Sequence, residues 1–154
     1  MLFYYPILTA IGMFYAVEHD GKLIYLGKNK PAQDIAQTRT ELIMKLETEL
    51  FEYFAKDRKS FDIPIEDTGT QWQINCFRAM RNIPYGETRT YKQLALAAGN
   101  AHAARAAGAA CHNNQILILT PCHRVIGASG SLTGFAIGLE AKAFLLELEK
   151  HGAI

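Results

Sequence analysis

The 154-residue chain contains few cysteines and no long apolar run. Its three cysteines are an odd number without regular spacing, which argues against a disulfide framework and favours a reducing compartment. The first residues lack the basic start and apolar core of a signal peptide, and no segment approaches membrane-spanning length. With 49% hydrophobic and 20% charged residues, we expect a soluble, cytoplasmic, globular protein without a membrane partner.

Acidic residues are absent between Thr88 and Leu139, although the net charge of the whole chain is only +1. The cations of this segment are Arg89, Lys92, Arg105 and Arg124. Residues 41–67 are, by contrast, strongly acidic. Because a phosphate backbone is repelled by acidic surfaces, the acid-free segment is the candidate DNA-binding face.

The first third of the chain predicts a small sheet with one helix. Apolar and aromatic runs at residues 3–8, 13–18 and 22–26 predict three strands of an antiparallel meander. Apolar residues at helical spacing then predict a helix over 38–55. Residues 60–69, which contain a proline and a glycine, predict a linker to a second domain.

Helices are predicted to dominate the rest of the chain. A helix from Thr70 carries Cys76 on its apolar face, so Cys76 is interpreted as a core residue. A closing amphipathic helix is predicted from Leu139 to residue 150, with Ala143 and Leu146 also on its inward face.

Two short helices between them have the pattern of a helix-turn-helix. The Thr90 to Gln93 capping-box pattern opens the first, which ends at Gly99. Asn100 is predicted to cap the second, over residues 101–112. This arrangement is typical of proteins that place a helix in a DNA groove.

The second helix of the pair is almost entirely alanine, with Arg105 as its one central cation. Such a helix either packs tightly inside the protein or is slim enough to enter a narrow groove. A helix that reads base edges would repeatedly use Asn, Gln, Arg or Lys. The DNA-binding interpretation therefore implies little sequence specificity.

A cysteine follows the most apolar run of the chain. Residues 116–119 predict a short buried strand that stops at Pro121. Cys122 and His123 then lie at the end of a rigid element, where an adjacent imidazole can lower the pKa of a thiol and make it nucleophilic. The alternative is a buried cysteine that acts as a small hydrophobic residue.

The string Pro121-Cys122-His123-Arg124-Val125 resembles the active-site signature of the O6-alkylguanine-DNA alkyltransferases, the methylated-DNA–protein-cysteine methyltransferases. Further motifs at family-like spacing are Gly69-Thr70-Gln71-Trp72-Gln73, Ile83-Pro84-Tyr85-Gly86-Glu87-Thr88, Tyr91 and Ala103-Ala104-Arg105-Ala106. The resemblance implies an α/β (α+β) protein. A ribonuclease-H-like sheet-and-helix domain is expected over residues 1–64, and a helical DNA-binding and alkyl-transfer domain with the helix-turn-helix over 65–154.

The family implies a repair protein that moves an alkyl group from O6-alkylguanine in duplex DNA to its own cysteine, once per molecule and without a cofactor or metal. Cys122 matches the nucleophile and His123 its base, acting through a water. Helical periodicity alone leaves Glu140, Glu147 and Glu149 open as the carboxylate that orients the imidazole. The position of the family's glutamate is that of Glu149.

Other roles are implied by matched positions. Tyr91 matches the phenol that protonates the departing purine, and Asn114 the residue that bridges the recognition helix and the active-site turn. Arg105 matches the arginine that enters the base stack from the minor groove while the damaged nucleotide rotates out. The residues predicted to contact DNA are Tyr91, Ala103, Ala104, Arg105, Ala106, Gly108 and Arg124.

The base pocket is expected to involve the carbonyls of Cys122 and Val125 and the backbone near Phe135 and Ala136. The sequence departs from the family pattern at three positions. These are Gln115 in place of proline, Phe135 in place of tyrosine and Ile137 in place of glycine. The first affects the rigidity of the turn before the active site, and the other two affect which alkyl groups the pocket accepts. A monomer is expected, with O4-alkylthymine as a second possible substrate.

Three other interpretations compete with alkyl transfer. A zinc site could use the Cys-His pairs at 111–112 and 122–123, but ligands are normally spaced by two or more residues. A cysteine hydrolase normally brings its histidine from a distant part of the sequence. A lesion-binding module without transfer is the strongest rival, although relatives of that kind have tryptophan where this chain has Cys122.

Overall fold

The structure, a computed structural model, describes residues 1–31, 34–130 and 137–150. A mixed sheet with one helix is followed by a helical half, so the predicted α+β class is confirmed. None of the helices in these ranges is long and apolar enough to cross a membrane.

The N-terminal sheet has four strands. They are β1 (Leu2–Thr9), β2 (Gly12–His19), β3 (Lys22–Gly27) and β4 (Ala36–Gln37), in the spatial order β3-β2-β1-β4. The first three form the predicted antiparallel meander, while β4 pairs parallel to β1. Two exposed residues carry too little pattern to be recognised as a strand, and β4 was not predicted.

Helix α1 (Glu41–Phe54) packs across β1 and β2. The side chain of Thr40 caps it by accepting a hydrogen bond from the backbone N–H of Ile43. Apolar residues on its inward face, including Leu46, complete the N-terminal part of the core. Tyr53, in the last turn, is fully buried and points toward the C-terminal half.

The C-terminal half is built from α2 (Gln71–Arg81), α3 (Tyr91–Ala98), α4 (Ala104–His112) and α5 (Leu139–Lys150). Reciprocal capping boxes begin α2 at Thr70 and α3 at Thr90, and the sequence predicts the second of them. Helix α3 ends at Gly99, whose φ of 114° is a conformation that favours glycine. Helices α2, α3 and α4 pack against one another, which confirms a helix-turn-helix arrangement.

Helix α4 begins three residues later than predicted. The Asn100 side chain accepts a hydrogen bond from the backbone N–H of His102 at 3.0 Å, so it closes a turn before the helix instead of capping it. The residue that precedes the helix is Ala103, which has no side-chain cap.

The predicted strand over 116–119 is wrong. Ile116 makes one isolated bridge to Leu26, and the chain then turns. Ile118 has a φ of 72°, a left-handed conformation that is unusual for a β-branched residue. A hydrogen bond from the Thr120 N–H to the Ile116 carbonyl at 3.1 Å closes the turn. The apolar run is buried, as expected, but as a compact turn.

The outer edge of β3 contacts two later segments. The backbone of Leu23 exchanges hydrogen bonds of 2.9 and 3.0 Å with residues 64–66. The backbone of Leu26 donates to Gln115 and accepts from Leu117, both at 2.9 Å. The sheet therefore anchors both the linker and the turn that precedes Cys122.

Helix α5 presents a different face to the core than predicted. Leu139 is 50% exposed and Ala143 is exposed. The buried residues of this helix are Lys142, Leu145, Leu148 and Glu149. The apolar pattern was misleading because two charged side chains belong to the inward face.

Candidate active site

Cys122 begins a single 3-10 turn (Cys122–Arg124) that leads into β6 (Val125–Ile126), which pairs in parallel with β5 (Arg89–Thr90). Its side chain is only 3% exposed. Burial raises the pKa of the thiol to about 11, although a hydrogen bond from Asn114 and the positive charge of Lys142 act in the opposite direction. The expectation that His123 lowers this pKa is therefore wrong for the resting protein.

Asn114 holds the turn and the sulfur together. Its Nδ2 donates to the Thr120 carbonyl at 2.8 Å and to Cys122 Sγ at 3.2 Å, while its Oδ1 accepts from the Ile116 N–H at 3.0 Å. Because Asn114 follows the C-cap residue of α4, it links the helix to the cysteine, as the family position implies. These bonds fix the turn although Gln115 stands in place of the expected proline.

His123 is completely buried, and its Nε2 lies 2.7 Å from Glu149 Oε2. Burial lowers the pKa of the imidazole, and the charges of Arg124 and Lys142 add to that effect, although Glu149 opposes it. The resting imidazole is therefore neutral near pH 7 and can accept a proton. Since the Glu149 carboxylate is an acceptor, Nε2 carries the hydrogen and Nδ1 is the basic nitrogen.

Glu149 is the carboxylate that the structure selects among the three left open by periodicity. Oε1 accepts from Arg124 Nε at 2.8 Å and from the Gly86 N–H at 3.3 Å. Oε2 accepts from the Tyr53 hydroxyl at 2.6 Å and from Arg124 Nη2 at 2.9 Å, in addition to His123. Burial raises the pKa of Glu149, but the hydrogen bonds from His123 and Arg124 and the positive charge of Arg124 outweigh it, and the pKa lies well below its usual range.

Arg124 is wrongly placed among the predicted DNA contacts. It is 7% exposed, and its guanidinium forms a two-bond ion pair with Glu149 and donates to the Ile83 carbonyl at 2.7 Å. A cation that is buried and paired in this way cannot also neutralise a phosphate. Its role is to fix the carboxylate that orients His123.

The alanines of α4 were interpreted either as tight packing inside the protein or as a slim surface for a DNA groove. The structure shows one face of the helix that fits each interpretation. Ala107 and Ala110 are buried against the neighbouring helices. Arg105 and Ala106 are exposed on the opposite side, where a DNA groove could receive them. The tight packing and the slim outer surface are therefore properties of the same helix.

Other residues of the predicted DNA face lie close to this surface. Ala103 and Ala104 are half-buried at the start of α4. Gly108 is half-buried, and a Cβ built on it would lie 3.7 Å from the ring of Tyr91, so it faces α3. Tyr91, half-buried at the first position of α3, therefore packs beside α4.

The predicted base pocket is only partly described. Val125 is fully buried, and its carbonyl accepts a hydrogen bond from Lys142 Nζ at 2.6 Å. Phe135 and Ala136 lie outside the described residues. Ile137, half-buried, packs against the core.

Two residues near the site were not predicted from the sequence. Lys142 is fully buried, and its charge favours the thiolate form of Cys122. It lies two helical turns before Glu149 on α5, so a helical projection anchored on Glu149 would have placed it inward. Tyr53 is 96 residues from Glu149, and no local pattern could have paired them.

The remaining cysteines have no catalytic surroundings. Cys76 is fully buried in the core, as predicted, and burial raises its pKa to about 11. Cys111 is also buried, 3.8 Å from the sulfur of Met80. Across the described ranges, no group of three or more His, Cys, Asp or Glu side chains could hold a metal ion.

Comparison with known proteins gives a consistent result. The family model described as 6-O-methylguanine DNA methyltransferase, DNA binding domain, matches residues 71–151. The methylated-DNA–protein-cysteine methyltransferase of Methanosarcina acetivorans is 50% identical over 109 residues, 71% of this chain and 70% of that protein. The Methanosarcina mazei protein of the same name is 41% identical over 150 residues, 96% of this chain and 92% of its own length.

Solved structures agree with these sequence matches. The O6-methylguanine methyltransferase of Mycobacterium tuberculosis has a TM-score of 0.91 at 38% identity, covering 100% of this chain and 96% of that chain. A structure of OGT from the same organism in complex with DNA has the same TM-score and identity and covers 98% and 94%. The likeness extends through both halves of the fold, and a 41% identical relative covers nearly all of the sequence. The chain therefore belongs to the family of methylated-DNA–protein-cysteine methyltransferases, which repair DNA by alkyl transfer.

Proposed function

We propose that this protein repairs O6-alkylguanine in duplex DNA by irreversible transfer of the alkyl group to Sγ of Cys122. The observation that carries the proposal is a short turn in which Cys122 is followed by His123, itself buried and bound to Glu149 of α5. Asn114, which follows α4, donates a hydrogen bond to the sulfur of that cysteine. A buried structural cysteine requires no such arrangement of imidazole, carboxylate and amide. Family membership supports the same reaction.

The reaction is a displacement at an sp3 carbon. The thiol proton moves to His123 Nδ1 through a water, and the sulfur attacks the alkyl carbon in line with its bond to O6 of guanine. The carbon–oxygen bond breaks as the carbon–sulfur bond forms. Glu149 stabilises the imidazolium that results, because its low pKa keeps it ionised.

The departing guanine needs a proton, which Tyr91 supplies and later regains from the imidazolium through solvent. Asn114 donates to the sulfur and so stabilises the thiolate that develops during proton transfer. The nearby positive charge of Lys142 acts in the same direction. Because a pKa of about 11 leaves roughly one thiol in ten thousand ionised at pH 7, proton removal and attack are coupled.

Binding uses the exposed side of α4. Arg105 fills the gap that the rotated nucleotide leaves in the base stack, and the neighbouring alanines allow the helix to approach the minor groove. Extrusion of a base requires a few kcal/mol, which contacts in the gap and in the pocket offset. Val125 and the segment with Phe135 and Ala136 receive the base.

We further propose that the protein acts as a monomer in the cytoplasm, where its three free thiols stay reduced. O4-alkylthymine is a second candidate lesion, since its alkyl group is likewise carried on an exocyclic oxygen. Incubation with matched O6-methylguanine and O4-methylthymine duplexes compares the two. A sedimentation measurement at micromolar concentration checks the oligomeric state.

The test is intact-protein mass spectrometry after incubation with duplex DNA that contains O6-methylguanine. We expect the mass of one added methyl group per molecule, located on Cys122 by peptide mapping, with no further turnover. Unmodified duplex DNA is the control. A protein that binds the damaged duplex but gains no mass would be a lesion-binding module, and the proposal would fail.

A further inference from the structure

The Glu149 carboxylate receives hydrogen bonds from four residues in three separate segments. His123 and Arg124 come from the 3-10 turn, Gly86 from the segment after α2, and Tyr53 from the last turn of α1. Tyr53 is the one donor of this set that belongs to the N-terminal half. Its bond, at 2.6 Å, is also the shortest of them.

The phenol of Tyr53 has little freedom to move. Its ring meets Phe54 edge-on at a centroid distance of 5.3 Å and Tyr85 edge-on at 6.2 Å, and Phe61 lies at 5.4 Å. The side chain is fully buried, so no solvent competes for the hydroxyl. Burial and the nearby Glu149 charge raise the pKa of Tyr53, which therefore remains a donor at every physiological pH.

Tyr53 and His123 share one oxygen of the carboxylate, Oε2. Each donor to that oxygen withdraws part of the negative charge that the other experiences. Arg124 holds the carboxylate through both of its oxygens. The hydroxyl thus affects both where Glu149 lies and how strongly it favours a protonated imidazole.

We propose that Tyr53 is a positioning residue for alkyl transfer, through which the N-terminal half holds Glu149 against His123. The inference rests on the proposed function, since it assigns Tyr53 to the proton transfer that activates Cys122. It gives the N-terminal half a direct part in the site that lies in the other half of the chain.

The test is Tyr53→Phe, which removes the hydroxyl and keeps the ring packing. The titratable or charged groups around the His123–Glu149 pair are Tyr53, Tyr85, Cys122, Arg124 and Lys142. Without the hydroxyl, more of the Glu149 charge acts on the imidazole, and the pKa of His123 rises. We expect the rate constant of methyl transfer to fall roughly tenfold and its acid limb to move up by about one pH unit.

The matched control is Tyr4→Phe, which removes another hydroxyl hydrogen bond in the N-terminal half, to Gln37 at 3.1 Å. It should leave both rate and pH profile unchanged. NMR titration of the His123 ring in both variants gives a readout that needs no DNA. A fall in rate with an unmoved pH profile and an unmoved ring titration would mean a purely structural role and overturn the inference.

The two proposals fail separately. If wild-type protein gains no methyl group, the proposed function fails, whereas the ring titration still reports whether Tyr53 acts on His123. If wild-type protein is methylated and Tyr53→Phe reacts with the wild-type rate and pH dependence, only the role of Tyr53 is lost.

Discussion

Arg105 and Arg124 come from the same acid-free segment of the sequence, yet the structure uses them in opposite ways. Arg124 is buried and bound to Glu149, a residue of the last helix. Arg105 is exposed on α4, and no described carboxylate pairs with it. In the buried region, Arg124 holds the Glu149 carboxylate beside the base that takes part in proton transfer. In the exposed region, Arg105 remains available to bind a ligand. A map of charge along the chain cannot separate these two uses.

The largest expected effect separates chemistry from binding. Cys122→Ala should abolish methyl uptake from O6-methylguanine DNA, because Cys76 and Cys111 are buried in the hydrophobic core, whereas Cys122 shares its turn with the His123 that Glu149 binds. Affinity for the same duplex should change less than about threefold, since the binding surface lies on α4. Mass spectrometry and fluorescence anisotropy measure the two quantities. Methyl uptake that persists in this variant would show that the sulfur is misassigned.

The second effect concerns stability of the buried region. Glu149→Gln should reduce the free energy of unfolding by about 3–5 kcal/mol, because it leaves Arg124 buried without its counter-ion. Urea denaturation measures the loss. Glu140→Gln, at an exposed position in the first turn of the same helix, is the control and should change stability by less than about 0.5 kcal/mol.

This loss should depend on pH in a definite direction. The folded pKa of Glu149 lies below its unfolded value, so the carboxylate stabilises the fold above the unfolded pKa of about 4.3. That contribution is lost as pH falls toward the folded pKa. The difference between wild type and Glu149→Gln should therefore be constant from about pH 6 to 8 and shrink below about pH 4.3. A difference that grows in acid would contradict this account.

The third effect isolates the exposed arginine. Arg105→Ala should slow repair of duplex DNA by about ten- to a hundredfold, because a few kcal/mol of extrusion is no longer offset. Reaction with free O6-benzylguanine, which needs no extrusion, should change less than about twofold. Rates with both substrates make the comparison. Equal losses would remove Arg105 from base extrusion and place it in the chemistry.

The smallest effect concerns salt. In the described part of the acid-free segment, Arg89 pairs with Glu87 and Arg124 is buried, which leaves Lys92 and Arg105 as exposed, unpaired cations. Two cations that displace counter-ions from the duplex predict a slope of about −2 for the logarithm of affinity against that of salt concentration. Lys92→Ala should reduce the slope by about one. A slope as steep as −6 would show a much larger contact surface than these residues provide.

Local rules were sufficient where a residue interacts with its near neighbours in sequence. The capping boxes at Thr70 and Thr90 each join residues three apart, and both begin helices where predicted. The wrong strand at 116–119 has the composition of a strand, but Asn114 bonds to both sides of the run and Ile118 adopts a positive φ. Apolar composition predicts burial and does not encode that turn.

Long-range pairing limited the prediction of the site. The family resemblance selected Glu149, which lies 2.7 Å from His123, whereas periodicity alone left three glutamates open. Arg124 was misassigned because its counter-ion is 25 residues away. Tyr53 was missed because its partner, Glu149, is 96 residues away in the sequence. No local pattern identifies a helical tyrosine as the donor to so distant a carboxylate.

The position of Glu149 near the end of α5 affects the order in which the protein matures. During synthesis the thiol and the imidazole leave the ribosome before the carboxylate does, and the 96-residue separation from Tyr53 makes their contact slow to form. A nascent chain that has folded its sheet and first four helices therefore lacks the group that orients the base.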